Sequence, residues 1–125
     1  MKNKQAERNA QAARTNGLLE EMPEKHSEFM LERAFTDVQI RALRRGHVPR
    51  EMEDKWFWFM EGDTLYAHRS WTGICAFRID FSFGDNRHRV TVNQDPAQVG
   101  ITCGDEDRKT VDHLLTWWSL MNDGL

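Results

Sequence analysis

The residues best suited to chemistry are gathered in one stretch of six, His68-Arg69-Ser70-Trp71-Thr72-Gly73. An arginine, two hydroxyls, an indole and a glycine turn stand together there. Arg69 with Ser70 and Thr72 suits a phosphate or carboxylate, because a guanidinium presents a planar fork of N–H donors and hydroxyls add more. Trp71 suits a flat ring through stacking. The same residues also read without a ligand: Ser and Thr satisfy turn amides while Trp plugs the core. Lys55, Arg78, Arg89 and Asn93 decorate neighbouring segments and would extend the site if a sheet gathers them on one face. The expected ligand-binding set is therefore Arg69, Ser70, Trp71 and Thr72, supported by Lys55, Arg78, Arg89 and Asn93.

Rival chemistry is thinner. His68 and Ser70 stand at i, i+2, so on a strand they share a face, and His68 would serve as a general base only with an acid that the spacing does not identify. None of His26, His47, His68, His88 and His113 lies in an HxH, HExxH or Cys-linked metal spacing, so no metal site is expected. The chain contains no GxGxxG, GxxxxGK[ST] or GxSxG, so no cofactor is expected and no nucleophile elbow is present. Asp105, Glu106 and Asp107 read as charge at the start of a helix rather than as acid–base groups.

Strands must carry the central stretch. From Trp56 the runs WFWFM, TLYAHRSW, ICAFRIDFSF and RHRVTVN are separated by short connections rich in Gly, Asp and Asn. That pattern predicts four antiparallel strands in a meander of hairpins. Alternation in the third run puts Cys75, Phe77, Ile79, Phe81 and Phe83 on a core face, with Ile74, Ala76, Arg78 and Asp80 opposite. Val90 and Val92 are the core positions of the fourth run. The first run is aromatic on both faces, so it is either covered twice or exposes an aromatic surface.

Helices flank the meander. Thr36 is a good N-cap for a helix ending near Arg44, Arg45 and Gly46. Ser27 predicts a short helix over residues 28–34. Val111, Leu114, Leu115 and Trp118 recur at i, i+3, i+4 and i+7 in the segment Asp105–Met121, which predicts an amphipathic helix packed on the sheet. Trp117, His113 and Leu120 stand beside that stripe and widen it, which points to deep burial, with a dimer contact as the alternative. Residues 1–22 read as a helical or disordered arm, with Pro23 at its boundary. The expected fold is α+β: a four-stranded meander packed by a C-terminal helix, with N-terminal helices, in one domain over residues 23–125.

Composition fits a single domain of this size. The 125 residues include five Trp and seven Phe, which supply apolar area and argue against disorder. The net charge of −3 makes nucleic acid an improbable partner, because a phosphate backbone selects a basic surface. Cys75 and Cys103 are too few for a disulfide framework. No apolar run reaches the roughly 20 residues a membrane span needs, and the N-terminus lacks the apolar core of a signal peptide. A cytoplasmic protein without a membrane partner is expected.

The stretch EDKWFWFMEGDTLYAHRSWTGICAFRIDF resembles small bacterial and phage proteins that share a Trp-rich strand followed by an HRSWTG-type hairpin. The resemblance covers about residues 50–93. It implies an accessory role around ADP-ribose and nucleotide chemistry, and it transfers no catalytic residue. The function expected is a non-enzymatic binding module for a small anionic, nucleotide-like ligand. The alternatives are a protein-interaction factor, such as an immunity protein or inhibitor using the Trp56/Trp58 face or the N-terminal arm toward a partner or a homodimer, and a small hydrolase using His68.

Overall fold

The computed structural model describes residues 20–49, 55–100 and 104–120. Their elements run in the order β1 (His26–Glu32), α1 (Asp37–Arg45), β2 (Trp56–Glu61), β3 (Thr64–Arg69), β4 (Cys75–Asp80), β5 (Arg87–Asn93) and α2 (Gly104–Leu120). The sheet is antiparallel with five strands in the order β1-β5-β4-β3-β2. The fold class is therefore α+β, with the C-terminal helix on the sheet. The four expected strands form the meander β2 to β5.

The fifth strand corrects the sequence reading. Residues 26–32 form β1 rather than a helix, pairing with β5 so that Phe29 faces Val90 and Leu31 faces His88. The segment HSEFMLE hides its alternation, because Phe29, Met30 and Leu31 are a continuous apolar run. In the structure Leu31 is buried and Phe29 packs against the core, while Glu28, Met30 and Glu32 turn outward. The expectation of several N-terminal helices thus reduces, among the described residues, to α1. Of the proposed arm at 1–22, residues 1–19 lie outside the described residues.

Local signals account for both helices. Thr36 caps α1 with a reciprocal box: its Oγ1 accepts from the Gln39 amide at 3.2 Å, and Gln39 Oε1 accepts from the Thr36 amide at 2.8 Å. Arg44 and Arg45 occupy the last turn of α1 and Gly46 its C-terminal cap, as the helix dipole and a positive φ require. Asp105, Glu106 and Asp107 fill the first turn of α2. No described helix is long and apolar enough to cross a membrane.

One face of the sheet meets the helices and holds the main core. Trp58 and Met60 of β2, Leu65 and Ala67 of β3, Phe77 and Ile79 of β4, and Val90 and Val92 of β5 pack there with Leu43, Val111, Leu114, Leu115 and Trp118. Trp118 lies stacked on Trp58 at 4.8 Å and on Phe77 at 5.8 Å. On the opposite face Phe57 and Phe59 form a smaller cluster with Val48 and Tyr66. Strand β2 is thus covered on both sides, and a Trp56/Trp58 face is not available to a partner: Trp58 is 1% exposed.

Both sheet edges are guarded. His47 exchanges backbone hydrogen bonds with Trp58 along the outer edge of β2, at 2.7 and 3.1 Å. On the other edge, the Arg108 guanidinium donates to the Met30 carbonyl of β1 at 2.6 Å. Occupied edge groups deny a neighbouring chain a template for strand addition.

Candidate functional site

The β3–β4 turn places the expected cluster at one end of the sheet. Arg69, the last residue of β3, pairs with Trp56 of β2 and shares its helix-side face. Its guanidinium lies over the Trp56 ring at 4.7 Å from the centroid. Trp56 in turn meets Trp118 edge-on at 5.7 Å and Phe77 at 5.7 Å. The cation therefore rests on the end of an aromatic stack rooted in the core. Among the described residues, no carboxylate lies within ion-pair distance of Arg69. Trp71, two residues on, is 73% exposed.

The turn is held by its own backbone. The Arg69 amide donates to Ile74 O at 2.9 Å, the Gly73 amide to Arg69 O at 2.8 Å, and the Ser70 amide to Lys55 O at 3.0 Å. Thr72 Oγ1 accepts from the Ile74 amide at 3.3 Å. Gly73 has φ +76°, a left-handed conformation that glycine adopts without a Cβ penalty. That twist leaves its carbonyl accepting from both the His68 Nδ1–H at 3.0 Å and the Glu20 amide at 2.9 Å. The amides of Arg69, Ser70, Gly73 and Ile74 are thus committed within the turn and to Lys55.

The supporting residues divide between faces. Ala67 pairs with Phe77, so Arg69 shares the face of Phe77 while Arg78 points to the other. Arg78 and Arg89 meet on that outer face at Asp80, with their Nε atoms 3.7 and 3.6 Å from its Oδ2. Thr64 donates to the Asp80 Oδ1 at 3.0 Å. Asn93 is 2% exposed and ties down the following loop: its Nδ2 donates to Cys75 O and Gln98 Oε1, and its Oδ1 accepts from the Asp95 amide. Lys55 contributes its carbonyl to the turn and keeps an exposed side chain. The structure brings together Arg69, Ser70, Trp71, Thr72 and the Lys55 backbone, and separates Arg78, Arg89 and Asn93 from them.

His68 and Cys75 face each other across β3 and β4, yet neither is set up for catalysis. His68 is 4% exposed, lies parallel to Phe59 at 5.9 Å, and donates to a backbone carbonyl rather than to an acid. Burial holds its pKa below the ordinary 6.5, partly opposed by the Gly73 carbonyl. Burial pushes the Cys75 thiol up to about 12, against the opposing Arg78 charge, and its S–H points to Phe77 O at 3.7 Å. A protonated, buried thiol is a poor nucleophile.

The His68 environment makes stability pH-dependent. Above about pH 6.5 the imidazole is neutral in the folded and unfolded chain alike, and its contribution is complete. As pH falls through 6.5 towards the lower folded value, the unfolded chain takes up a proton that the folded one resists, so stability falls. Urea unfolding of the wild type between pH 7.5 and 5 is expected to show this loss, and His68→Gln to flatten part of it. Identical slopes in the two proteins would refute the assignment.

Two features escaped the sequence reading. Trp117 and Leu120 are 59% and 69% exposed, and His113 is exposed too, so the stripe beside the core of α2 is a surface rather than buried. His88 is wholly buried and fully bonded between Arg33 O and the Ser82 amide; its place in RHRVTVN, between two arginines, gave no signal of this. Among the described residues no three His, Cys, Asp or Glu side chains converge to hold a metal ion. No protein-family model matches the chain, and no curated protein or solved structure is significantly similar to it.

Proposed function

We propose that the protein is a non-enzymatic binding module for a small anionic, nucleotide-like ligand, a class that includes ADP-ribose. One observation carries this reading: a guanidinium with no carboxylate partner among the described residues lies on an indole, two residues from a solvent-exposed tryptophan. Trp56 holds the Arg69 side chain in place, so less rotamer entropy remains to be lost when an anion meets its N–H fork. The Trp71 ring offers a stacking surface for a base. The cytoplasm, where reduced thiols such as the free Cys75 are the ordinary state, suits this module.

Calorimetry against a panel of AMP, cyclic AMP and ADP-ribose tests the reading. Arg69→Ala is expected to weaken binding by about 10- to 100-fold, the worth of a charge-assisted hydrogen bond, while the melting temperature stays within about 3 °C of wild type. Silence of the wild type across the panel would defeat the reading.

A second reading is a protein-interaction factor, in the manner of an immunity protein or inhibitor. It is favoured by the exposure of Trp71, Trp117 and Leu120, because Trp and Arg dominate interface hot spots. A stoichiometric partner recovered by wild type and lost with Trp117→Ala would favour it over the ligand module. The hydrolase reading has the least support, since His68 is bonded to the Gly73 carbonyl.

A further inference from the structure

We infer that the groove between β1 and the first half of α2 captures the carboxylate end of an extended peptide. The groove measures about 560 Å³ and is lined by Met30, Leu31, Glu32, Arg108, Lys109 and Asp112. It lies at the β1 edge of the sheet, with β5 and β4 between it and Arg69 on β3. Its charges are unevenly answered. Both carboxylates are engaged by cations from outside the lining: Asp112 Oδ1 accepts from Arg33 at 2.7 Å, and Glu32 Oε1 lies 3.7 Å from Arg87 Nε. The two cations have no such partner. Arg108 is held by the Met30 carbonyl at 2.6 Å and lies 4.7 Å from the Phe29 ring centroid. Among the described residues, no carboxylate lies within ion-pair distance of Arg108 or Lys109. The groove therefore favours an anion.

The backbone of β1 makes that anion a chain end. The Arg33 amide donates to Asn86 O and the Gln94 amide to Lys25 O. In an antiparallel ladder the bonded residues alternate, so the odd-numbered residues of β1 face β5 and the even-numbered ones turn outward. The amides of Met30 and Glu32 thus point away from the sheet as donors. The outward carbonyl between them, that of Met30, is already filled by Arg108. A passing strand needs donors and acceptors in turn, and the filled carbonyl stops it. A terminal carboxylate only accepts, so it can take an outward amide and the Lys109 ammonium together. The Met30 side chain, 42% exposed, gives the last residue of the peptide an apolar contact.

Amide NMR on the isotope-labelled full chain tests the site with three probes. These are an acetylated Ala-Ala-Leu peptide with a free carboxylate, the same peptide capped as its C-terminal amide, and inorganic phosphate. The free acid is expected to shift the Met30 and Glu32 amide signals in a saturable way. The capped peptide should bind about ten-fold or more weaker, because it lacks the charge. Lys109→Ala should weaken the free acid by about ten-fold, and Lys109→Arg should keep most of the affinity; Lys109 is exposed, so neither variant disturbs the core. Silence at Met30 and Glu32, or equal affinity for the free and capped peptides, would overturn the proposal. Phosphate matching the free acid within about two-fold would show a simple anion site and overturn the chain-end assignment. None of these outcomes bears on Arg69, so the ligand-module reading stands or falls separately.

Discussion

Trp118→Ala is expected to cost about 3–5 kcal/mol, enough to lower the melting temperature by more than about 10 °C in a chain of this length. Trp118 is 2% exposed and brings α2 against three aromatic rings of the sheet. Its ring lies nearly parallel to Trp58, with 15° between planes, and to Phe77, with 13°, and meets Trp56 edge-on. Removing it strips dispersion contacts from three rings at once and leaves a large cavity beneath α2. The loss also reaches the candidate site, because Trp56 would lose the ring it leans on and Arg69 sits on Trp56. Trp118→Phe should recover a large part of the stability. Guanidinium denaturation of the two variants reads the effect; a loss below about 1 kcal/mol for the alanine variant would show that α2 does not anchor the sheet.

The meander was legible in the sequence because alternation and turn residues act locally. Phe77 and Ile79 in β4, and Val90 and Val92 in β5, went to the core face that their period of two assigned, and Thr36 and Gly46 bounded α1 as capping chemistry requires. What stayed hidden was non-local. Strand β1 pairs with β5 at a separation of about 60 residues, and nothing in HSEFMLE reveals that partner. Three consecutive apolar residues there also mask the alternation, since a short apolar run fits either a strand or a helix.

The site shows the same division. The nearness of Arg69 to Trp71 follows from the sequence itself, because both lie in one turn. The grouping of Arg78 and Arg89 with Arg69 failed for want of register. Parity alone puts Arg69 in phase with Leu65 and Ala67, both fully buried, and puts Arg78 out of phase with Phe77. Once Ala67 is opposite Phe77 the arginines are separated by the sheet itself. Register follows from which face is buried across the whole sheet, and that is settled by α2 and β1 rather than by the hairpin. The exposure of Trp117 depends likewise on how far the apolar stripe of α2 is matched by the sheet beneath it.

His88 carries the second large prediction. Its imidazole is 0% exposed and sits among Phe35, Phe81 and Phe83, with ring centroids 5.6, 5.1 and 5.9 Å away. The Ser82 amide donates to Nδ1 at 3.0 Å, so the ring proton belongs on Nε2, from which it is donated to Arg33 O at 2.8 Å. One neutral tautomer therefore joins the segment after β1 to the β4–β5 connection, beside the backbone bond that the Arg33 amide donates to Asn86 O at 3.0 Å. His88→Phe keeps the aromatic volume and deletes both bonds. Leaving one donor and one acceptor unpaired at roughly 1–3 kcal/mol each, it should cost about 2–4 kcal/mol in total. His88→Ala adds a cavity and should cost more. Chemical denaturation of the two variants separates hydrogen bonding from packing: if His88→Phe matches the wild type and only His88→Ala is destabilised, the ring acts as filler and the two segments are held by the Arg33–Asn86 backbone bond and the surrounding phenylalanines.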